Sequence, residues 1–355
     1  FFYTPIRILR ECKKRRCITN GIIEEYSTMN SRKNSVFYFG LPEHNNLGDI
    51  AQAYCIIDWV RKKYPRYNIL KIRTRAAFDS KLTNFIKDIW KEGDIIIFQS
   101  GYCTRYKNPD HLMHKRIAKL FYDKKMIILP QTVKLENQRD IEQTKKIFLM
   151  CNHFAFICRD KISYKNAEKF VDESSLYCFP DIVTSLIGRL DGFDKKRNGV
   201  LVCVRNDEEK FYNDNQIMSL IKKLKKITSQ VDIRDTNSRY SVEYTYKNLE
   251  KVIIEMAMEF SKYKVVITDR YHGTIFSLIA NTPVIVVKTN DHKVVTGLEW
   301  FEGVFNEKSV QLASDLEEAF IMANNIITSN VIIKNSDDLY KKYYRSKLDE
   351  IVLKC

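Results

Sequence analysis

Short apolar runs alternate with longer amphipathic stretches along almost the whole chain. "SVFYFGL" (Ser35–Leu41) leads into "NNLGDIAQAYCIIDWVRKKYP", a turn and a helical pattern that ends at Pro65. "YNILKIRT", "DIIIFQSG", "KMIILPQTV" with Pro130 at its end, "HFAFICRD" and "LYCFPDIV" are the next strand candidates. Between them "AFDSKLTNFIKDIW", "HLMHKRIAKLFY", "RDIEQTKKIFLMCN" and "SYKNAEKFV" carry helical spacing. "DIIIF" is a continuous apolar run rather than an alternating one, as expected of a parallel strand covered on both faces. "IGRLDGFDKKRNG" (187–199) breaks the pattern with three glycines among charges, which predicts a linker. Beyond it "GVLVCVRND", "VDIRDTN", "KVVITDR" and "TPVIVVK" read as strands. "NDNQIMSLIKKLKKITSQ", "LEKVIIEMAMEFSKY" and "TIFSLIAN" read as the helices between them, and "ASDLEEAFIMANNIIT" and "SDDLYKKYYRSKLDEIVLK" as closing helices.

Alternation on both sides of a linker predicts an α/β protein of two doubly wound Rossmann-like domains facing a cleft. The expected divisions are a basic helical extension over 1–30, an N-terminal domain over 31–188, a C-terminal domain over 189–335 and a last helix over 336–355. Open parallel sheets bind ligands beyond the carboxyl ends of their strands, so the loops there are the first places to look for chemistry.

Composition agrees with this picture. The chain has 355 residues, 45% hydrophobic and 29% charged, enough for two cores. No apolar run reaches the ~20 residues of a membrane span. "FFYTPIRILRECKKRR" does not read as a signal peptide, because Pro5, Arg7 and Arg10 interrupt it. It reads as a basic amphipathic helix packed on the body, with contact to an anionic membrane surface as the alternative. The net charge of +15 suits an anionic partner, but the basic residues are spread along the chain, and a solvated surface accounts for them equally well. Nine cysteines without a Cys-x-x-Cys pair read as buried thiols in a reducing, cytosolic setting. The six histidines lack metal-ligand spacing, and His111 and His114 are expected to face solvent on their helix.

Several strand ends carry polar groups. Val265–Thr268 runs into Asp269-Arg270-Tyr271-His272-Gly273, with a helix expected to begin at Gly273 or Thr274. A helix amino end attracts an anion, Arg270 and His272 add donors, and Gly273 lets the backbone approach a ligand. The plainer reading is an Asp269–Arg270 ion pair with Tyr271 in the core. Asn46-Leu47-Gly48-Asp49 opens a helix after the first strand, either offering polar groups to a ligand or only capping that helix. Arg159, Arg205 and Lys293 follow other strands. With Arg270 and His272 they fit a small, multiply charged anion.

These residues resemble the polysaccharide pyruvyl transferase family over roughly Val36 to Phe301. The most specific piece is "TDRYHGTIFSLIANTPVIVV" with "DHKV" downstream, supported by "NLGDIAQ", "GDIIIFQSG", "ILPQTV", "FICRDKISY" and "FPDIV". The resemblance implies a GT-B-like fold and transfer of a pyruvyl group from phosphoenolpyruvate to a saccharide, commonly as a cyclic ketal. It implies that His272, Arg159 and Lys293 handle phosphoenolpyruvate with Arg270 beside them, and Arg205 and Gly273 complete the expected donor set. Asn46, Asp49, Gln99 and Ser100 form the expected acceptor side. The family often has a run of glycines where this chain has Gln99-Ser100-Gly101-Tyr102. His272 is the expected general acid, and Asp49 is either the base or a helix cap. No cofactor or metal is implied beyond the donor. The acceptor is free or lipid-linked, and the expected location is cytoplasmic, with peripheral contact at the inner face of the plasma membrane as an extension.

Two other classes compete. A GT-B glycosyltransferase would hold a nucleotide sugar in the same cationic loops, with Glu299 or Glu302 for the ribose. A non-catalytic basic module would bind nucleic acid or membrane. The twenty Tyr and twenty Phe lie mostly in strands or helix stripes where core is the default, and no nucleic-acid motif is present, so nucleic acid is not expected as a partner.

Overall fold

The structure is a computed structural model describing residues 5–193, 196–206, 210–289, 292–329, 333 and 336–354; the side chains of residues 5–8, 292 and 293 lie outside that description. The chain divides into two compact units. One comprises Phe1–Glu43, Ile56–Asp181 and Leu348–Cys355, the other His44–Cys55 and Ile182–Lys347.

The first unit is built on the strands β1 (Ser35–Phe39), β2 (Asn68–Ile72), β3 (Ile95–Phe98), β4 (Gly101–Arg105), β5 (Met126–Lys134), β6 (Phe154–Cys158) and β7 (Leu176–Cys178). Their order is β2-β1-β3-β5-β6-β7, every pairing parallel, with β4 beside the far half of β5. All five residues of β1 and all four of β3 are buried, the result of helices covering both faces. Phe37, Phe39, Phe98, Phe156 and Phe170 anchor the core. β5 runs through Pro130, where the sequence predicts a strand end. Its register against β6 shifts between Ile128 and Gln131, which accommodates a residue with no N–H to donate.

The second unit has β8 (Val200–Cys203), β9 (Val231–Arg234), β10 (Val265–Thr268), β11 (Val284–Val287) and β12 (Val310–Ala313), ordered β12-β11-β10-β8-β9 and parallel throughout. β4 and β12 have no counterpart among the sequence-predicted strands. β12 is a partly exposed edge strand and lacks the unbroken apolar run that marks the central ones. Asn213 and Gln216 cap the Asp214–Leu224 helix reciprocally.

The divisions differ from those expected. The boundary falls at Asp181 and Ile182 rather than within the Gly-rich segment, and residues 44–55 group with the second unit. The basic N-terminal helix Pro5–Ser27 belongs to the body of the first unit. Ile22 and Tyr26 enter its core, Tyr26 meeting Phe85 edge-on at 5.5 Å. The closing segment also returns there: Lys125 Nζ donates to the Val352 carbonyl at 2.8 Å, and Lys63 pairs with Asp349.

Two expectations about single residues fail. His111 and His114 are fully buried, because the Pro109–Leu120 helix turns both inward with Met113 and Ile117. His114 stands edge-on to Phe98 at 4.9 Å, and His111 Nε2 lies 3.1 Å from Thr144 Oγ1. Burial pushes the His111 imidazole down to about 4, with Lys115 adding to the effect and Asp140 opposing it; burial, with His111 beside it, also holds the His114 imidazole well below its ordinary range. The thiols are not uniformly buried either: Cys12 and Cys17 are exposed on the N-terminal helix, while Cys55, Cys103, Cys158 and Cys203 are buried.

Candidate active site

In the second unit, β10 ends at Thr268 and the next helix, Tyr271–Ile279, begins two or three residues before the expected start at Gly273 or Thr274, with Arg270 at its cap position. Thr268 makes this tight entry possible. Its Oγ1 donates to the Cys203 carbonyl at 2.6 Å and accepts the Arg270 N–H at 3.0 Å. Gly273 therefore sits inside the first turn and is buried. A Cβ there would lie 2.3 Å from Thr268 Oγ1, so the missing side chain makes room for Thr268. That corrects the expectation that Gly273 opens the backbone to a ligand.

The carboxylates divide differently from the sequence-level ion pair. Arg270 Nη2 pairs with Asp235 Oδ2 at 2.7 Å, not with Asp269. Asp235 also accepts the Asn206 and Thr236 backbone N–H groups. Asp269 accepts the Arg205 N–H at 2.9 Å. Burial raises its carboxyl to about 6, against the lowering influence of that N–H and of the Arg270 and Arg205 charges. Tyr271 is core, with its ring where a Cβ on Gly297 would fall.

His272 occupies the first turn of the Tyr271–Ile279 helix and is half-buried. Its neighbours come from the start of the Leu47–Lys63 helix. A Cβ on Gly48 would stand 2.1 Å from His272 Nδ1, so only glycine allows the ring its place. Gln52, one turn on and fully buried, brings Nε2 to 3.5 Å from His272 Nε2. Asn46 holds this turn in position: its Oδ1 accepts the Gly48 N–H at 2.9 Å, Asn46 bridges to Asn237, and the Leu47 N–H donates to the Thr236 carbonyl. The Asn46 side-chain oxygen thus acts as a turn cap, the plainer of its two readings. Asp49, partly exposed in the same turn, lies 3.5 Å from His44 Nε2.

The structure therefore gathers Asn46, Asp49, Arg270 and His272, with the Arg205 backbone, in one unit. Gln52 and Asp235 join them without having been singled out, and Gly48 and Asp269, named only as members of their loops, take definite places. Gln52 carried a faint signal, since it lies four residues after Gly48 on the same helix face. Asp235 carried none, because β8 separates its strand from β10 in the sheet.

Arg159, Gln99 and Ser100 belong to the first unit. Arg159 is buried, its Nη1 on Asp181 Oδ2 at 3.0 Å and its Nε on Thr132 Oγ1. Gln99 Oε1 accepts from the Tyr38 hydroxyl, and Ser100 Oγ donates to the Pro130 carbonyl at 2.6 Å. Gln99 and Ser100 are buried and engaged inside the sheet end, which removes the basis for expecting them to hold an acceptor. The side chain of Lys293 lies outside the described residues, while Glu299 and Glu302 are exposed. No group of three His, Cys, Asp or Glu side chains among the described residues has metal-binding geometry.

Parallel α/β sheets of this kind are shared with solved proteins of GT-B-like fold. The UDP-N-acetylglucosamine 2-epimerase from Rickettsia bellii superimposes with a TM-score of 0.51 at 11% identity, covering 91% of this chain and 96% of that one. Within that fold class the sequence is more specific. Residues 46–292 match the family described as polysaccharide pyruvyl transferase, and the chain belongs to that family of transferases. General stress protein 30 of Bacillus subtilis (strain 168) is 27% identical over 328 residues, 90% of this chain and 92% of that protein. Pyruvyl transferase 1 of Schizosaccharomyces pombe (strain 972 / ATCC 24843) is 24% identical over 290 residues, 76% of this chain and 70% of that protein. No helix among the described residues is long and apolar enough to cross a membrane.

Proposed function

We propose that the protein transfers the pyruvyl group of phosphoenolpyruvate onto two hydroxyls of a saccharide, forming a cyclic ketal in the synthesis of cell-surface polysaccharide. The observation that carries this reading is the seat of His272. The imidazole is held against Gly48 and Gln52 at a helix amino end, two residues from an arginine that is itself fixed by Asp235. Such a site supplies what the donor needs. A guanidinium and helix N–H groups favour phosphate and carboxylate, and an imidazole can give and take a proton.

In this reading His272 delivers a proton to the methylene carbon of the donor, leaving an oxocarbenium-like centre at the neighbouring carbon. One sugar hydroxyl adds to that centre, phosphate departs, and the second hydroxyl closes the ring. Of the two hydroxyl protons released, one restores the acid and the other leaves with phosphate. Asp49 is the candidate base. Arg270 and the Arg205 loop hold the donor from the second unit. Lys293 remains in the expected donor set on sequence grounds, Arg159 is engaged by Asp181 and Thr132 within the first unit, and the acceptor is a saccharide, free or lipid-linked.

The test is incubation with phosphoenolpyruvate and a panel of saccharide acceptors, following phosphate release and a product heavier by pyruvate less water. His272→Gln is expected to lower turnover about 10²–10⁴-fold, the usual contribution of a general acid. Turnover of nucleotide sugars with none of phosphoenolpyruvate would move the protein to the glycosyltransferase reading.

A further inference from the structure

The N-terminal helix presents exposed basic residues remote in sequence from His272. Its inward side is defined by Thr19, Ile22 and Tyr26, all buried. Arg15 also faces the body, donating to the Phe78 carbonyl at 3.3 Å with its guanidinium 6.0 Å from the Phe78 ring. The opposite side presents Leu9, Arg10, Lys13, Lys14 and Arg16, all exposed. Lys81, exposed on the Ser80–Ile89 helix, extends this surface, with its Nζ 2.8 Å from Asn20 Oδ1.

Among residues 9–21 the one acid is Glu11, and Arg75 engages it at 3.1 Å. The charged side chains exposed over these turns are therefore all cationic, standing among Leu9, Cys12, Cys17 and Asn20. This arrangement does not serve the helix itself. A helix dipole favours acids near the amino end and bases near the carboxyl end. Here the first turn has no acid and the last no base, and Glu24 and Glu25 lie toward the carboxyl end. The charges thus run against the dipole, and an external anion is the partner that rewards them.

Leu9 indicates which anion. It is 68% exposed beside these cations. An apolar side chain gains nothing against the phosphates of a nucleic acid, but it gains in the headgroup and acyl boundary of a bilayer, where cations meet anionic lipid. We infer that the outer face of the Pro5–Ser27 helix docks on an anionic membrane surface through Arg10, Lys13, Lys14, Arg16 and Leu9. This would hold the protein at the surface where a lipid-linked saccharide is presented. The inference does not depend on the donor or on His272.

Co-sedimentation of the full chain with vesicles tests it, comparing pure phosphatidylcholine with phosphatidylcholine containing phosphatidylglycerol. Binding is expected to the anionic vesicles alone and to fall steeply with added salt. Each basic residue near the surface adds roughly fivefold in affinity, so the triple variant Arg10→Gln, Lys13→Gln, Lys14→Gln is expected to bind about a hundredfold more weakly. A control variant with Lys222, Lys225 and Lys226 changed to Gln, exposed on the second unit, removes the same charge and is expected to bind like the parent. Circular dichroism checks that both variants fold. Equal losses in the two variants would mean that net charge alone drives binding, and would overturn the inference. So would binding to DNA with none to anionic vesicles. Pyruvyl transfer to a soluble acceptor is expected to be unchanged in the triple variant, so the two proposals fail separately.

Discussion

Two arginines, one in each unit, are built to the same plan and end in different circumstances. Arg159 follows β6 and pairs with Asp181 beyond the neighbouring β7; Arg270 follows β10 and pairs with Asp235 beyond β9. The Arg159 pair is sealed, its side chains 4% and 0% exposed, with Thr132 as a further partner. The Arg270 pair is 12% and 13% exposed, and an imidazole stands two residues on. What surrounds the strand end makes the difference. Gln131 and Thr132, fully buried on the overlong β5, close over Arg159. β10 is short, and the chain turns straight into a helix whose amino end stays partly open. A strand-end arginine is thus a clamp or a reachable charge depending on its cover, not on its local sequence.

Removing each arginine tests this comparison most strongly. Arg159→Met takes the buried guanidinium partner away from Asp181 and is expected to cost about 3–5 kcal/mol. Arg270→Met leaves Asp235 with the Asn206 and Thr236 N–H donors, and is expected to cost less, about 2 kcal/mol, and to act mainly by raising the KM for phosphoenolpyruvate. Denaturant titration of both variants decides the matter, and equal losses of stability would erase the distinction.

A smaller effect is expected from Gly48→Ala. The added methyl must displace the His272 ring, and a misplacement of this size lowers turnover by about 10²-fold while leaving the circular dichroism spectrum intact. Near-parental turnover would mean that the ring's seat has no functional weight.

The smallest expected effect is on acid response, where the units differ in sign. His111 and His114 are held neutral by burial, so their contribution is complete above the ordinary imidazole value of 6.5 and is lost as pH falls below it, for His111 through about 4. Asp269 behaves oppositely. Its raised carboxyl gives a relative stabilisation that is present below the ordinary value of 3.8 and lost as pH rises through about 6. Asp269→Asn keeps an acceptor for the Arg205 N–H and removes the buried charge. The variant is expected to gain on the order of 2 kcal/mol over the parent above pH 6 and little at pH 4. Thermal melts across that range measure it, and a parallel shift at every pH would refute the assignment to this carboxyl.

The fold was the more legible part. β1, β3, β8, β10 and β11 are short, almost wholly apolar runs because helices cover both faces of each sheet, and that pattern needs no tertiary knowledge to recognise. β12 escaped because an edge strand is half wet. The unit boundary escaped because glycines mark where a chain bends, not where its contacts change. At the site, Arg270 and His272 stood out as polar groups closing an apolar strand. His111 and His114 misled because i, i+3 spacing places two residues on one face without saying which way that face turns.

The sequence by itself determined the parallel α/β architecture, the family, and the strand end that bears Arg270 and His272. Apolar periodicity and the order of side chains along the backbone are local properties, written in the chain. Only the tertiary structure decided that Asp235 rather than Asp269 holds Arg270, that Gly273 makes room for Thr268, and that Gly48 and Gln52 seat the imidazole. Each of those pairings joins segments distant in sequence or depends on which atoms fill the same few ångströms, and packing alone settles such contests.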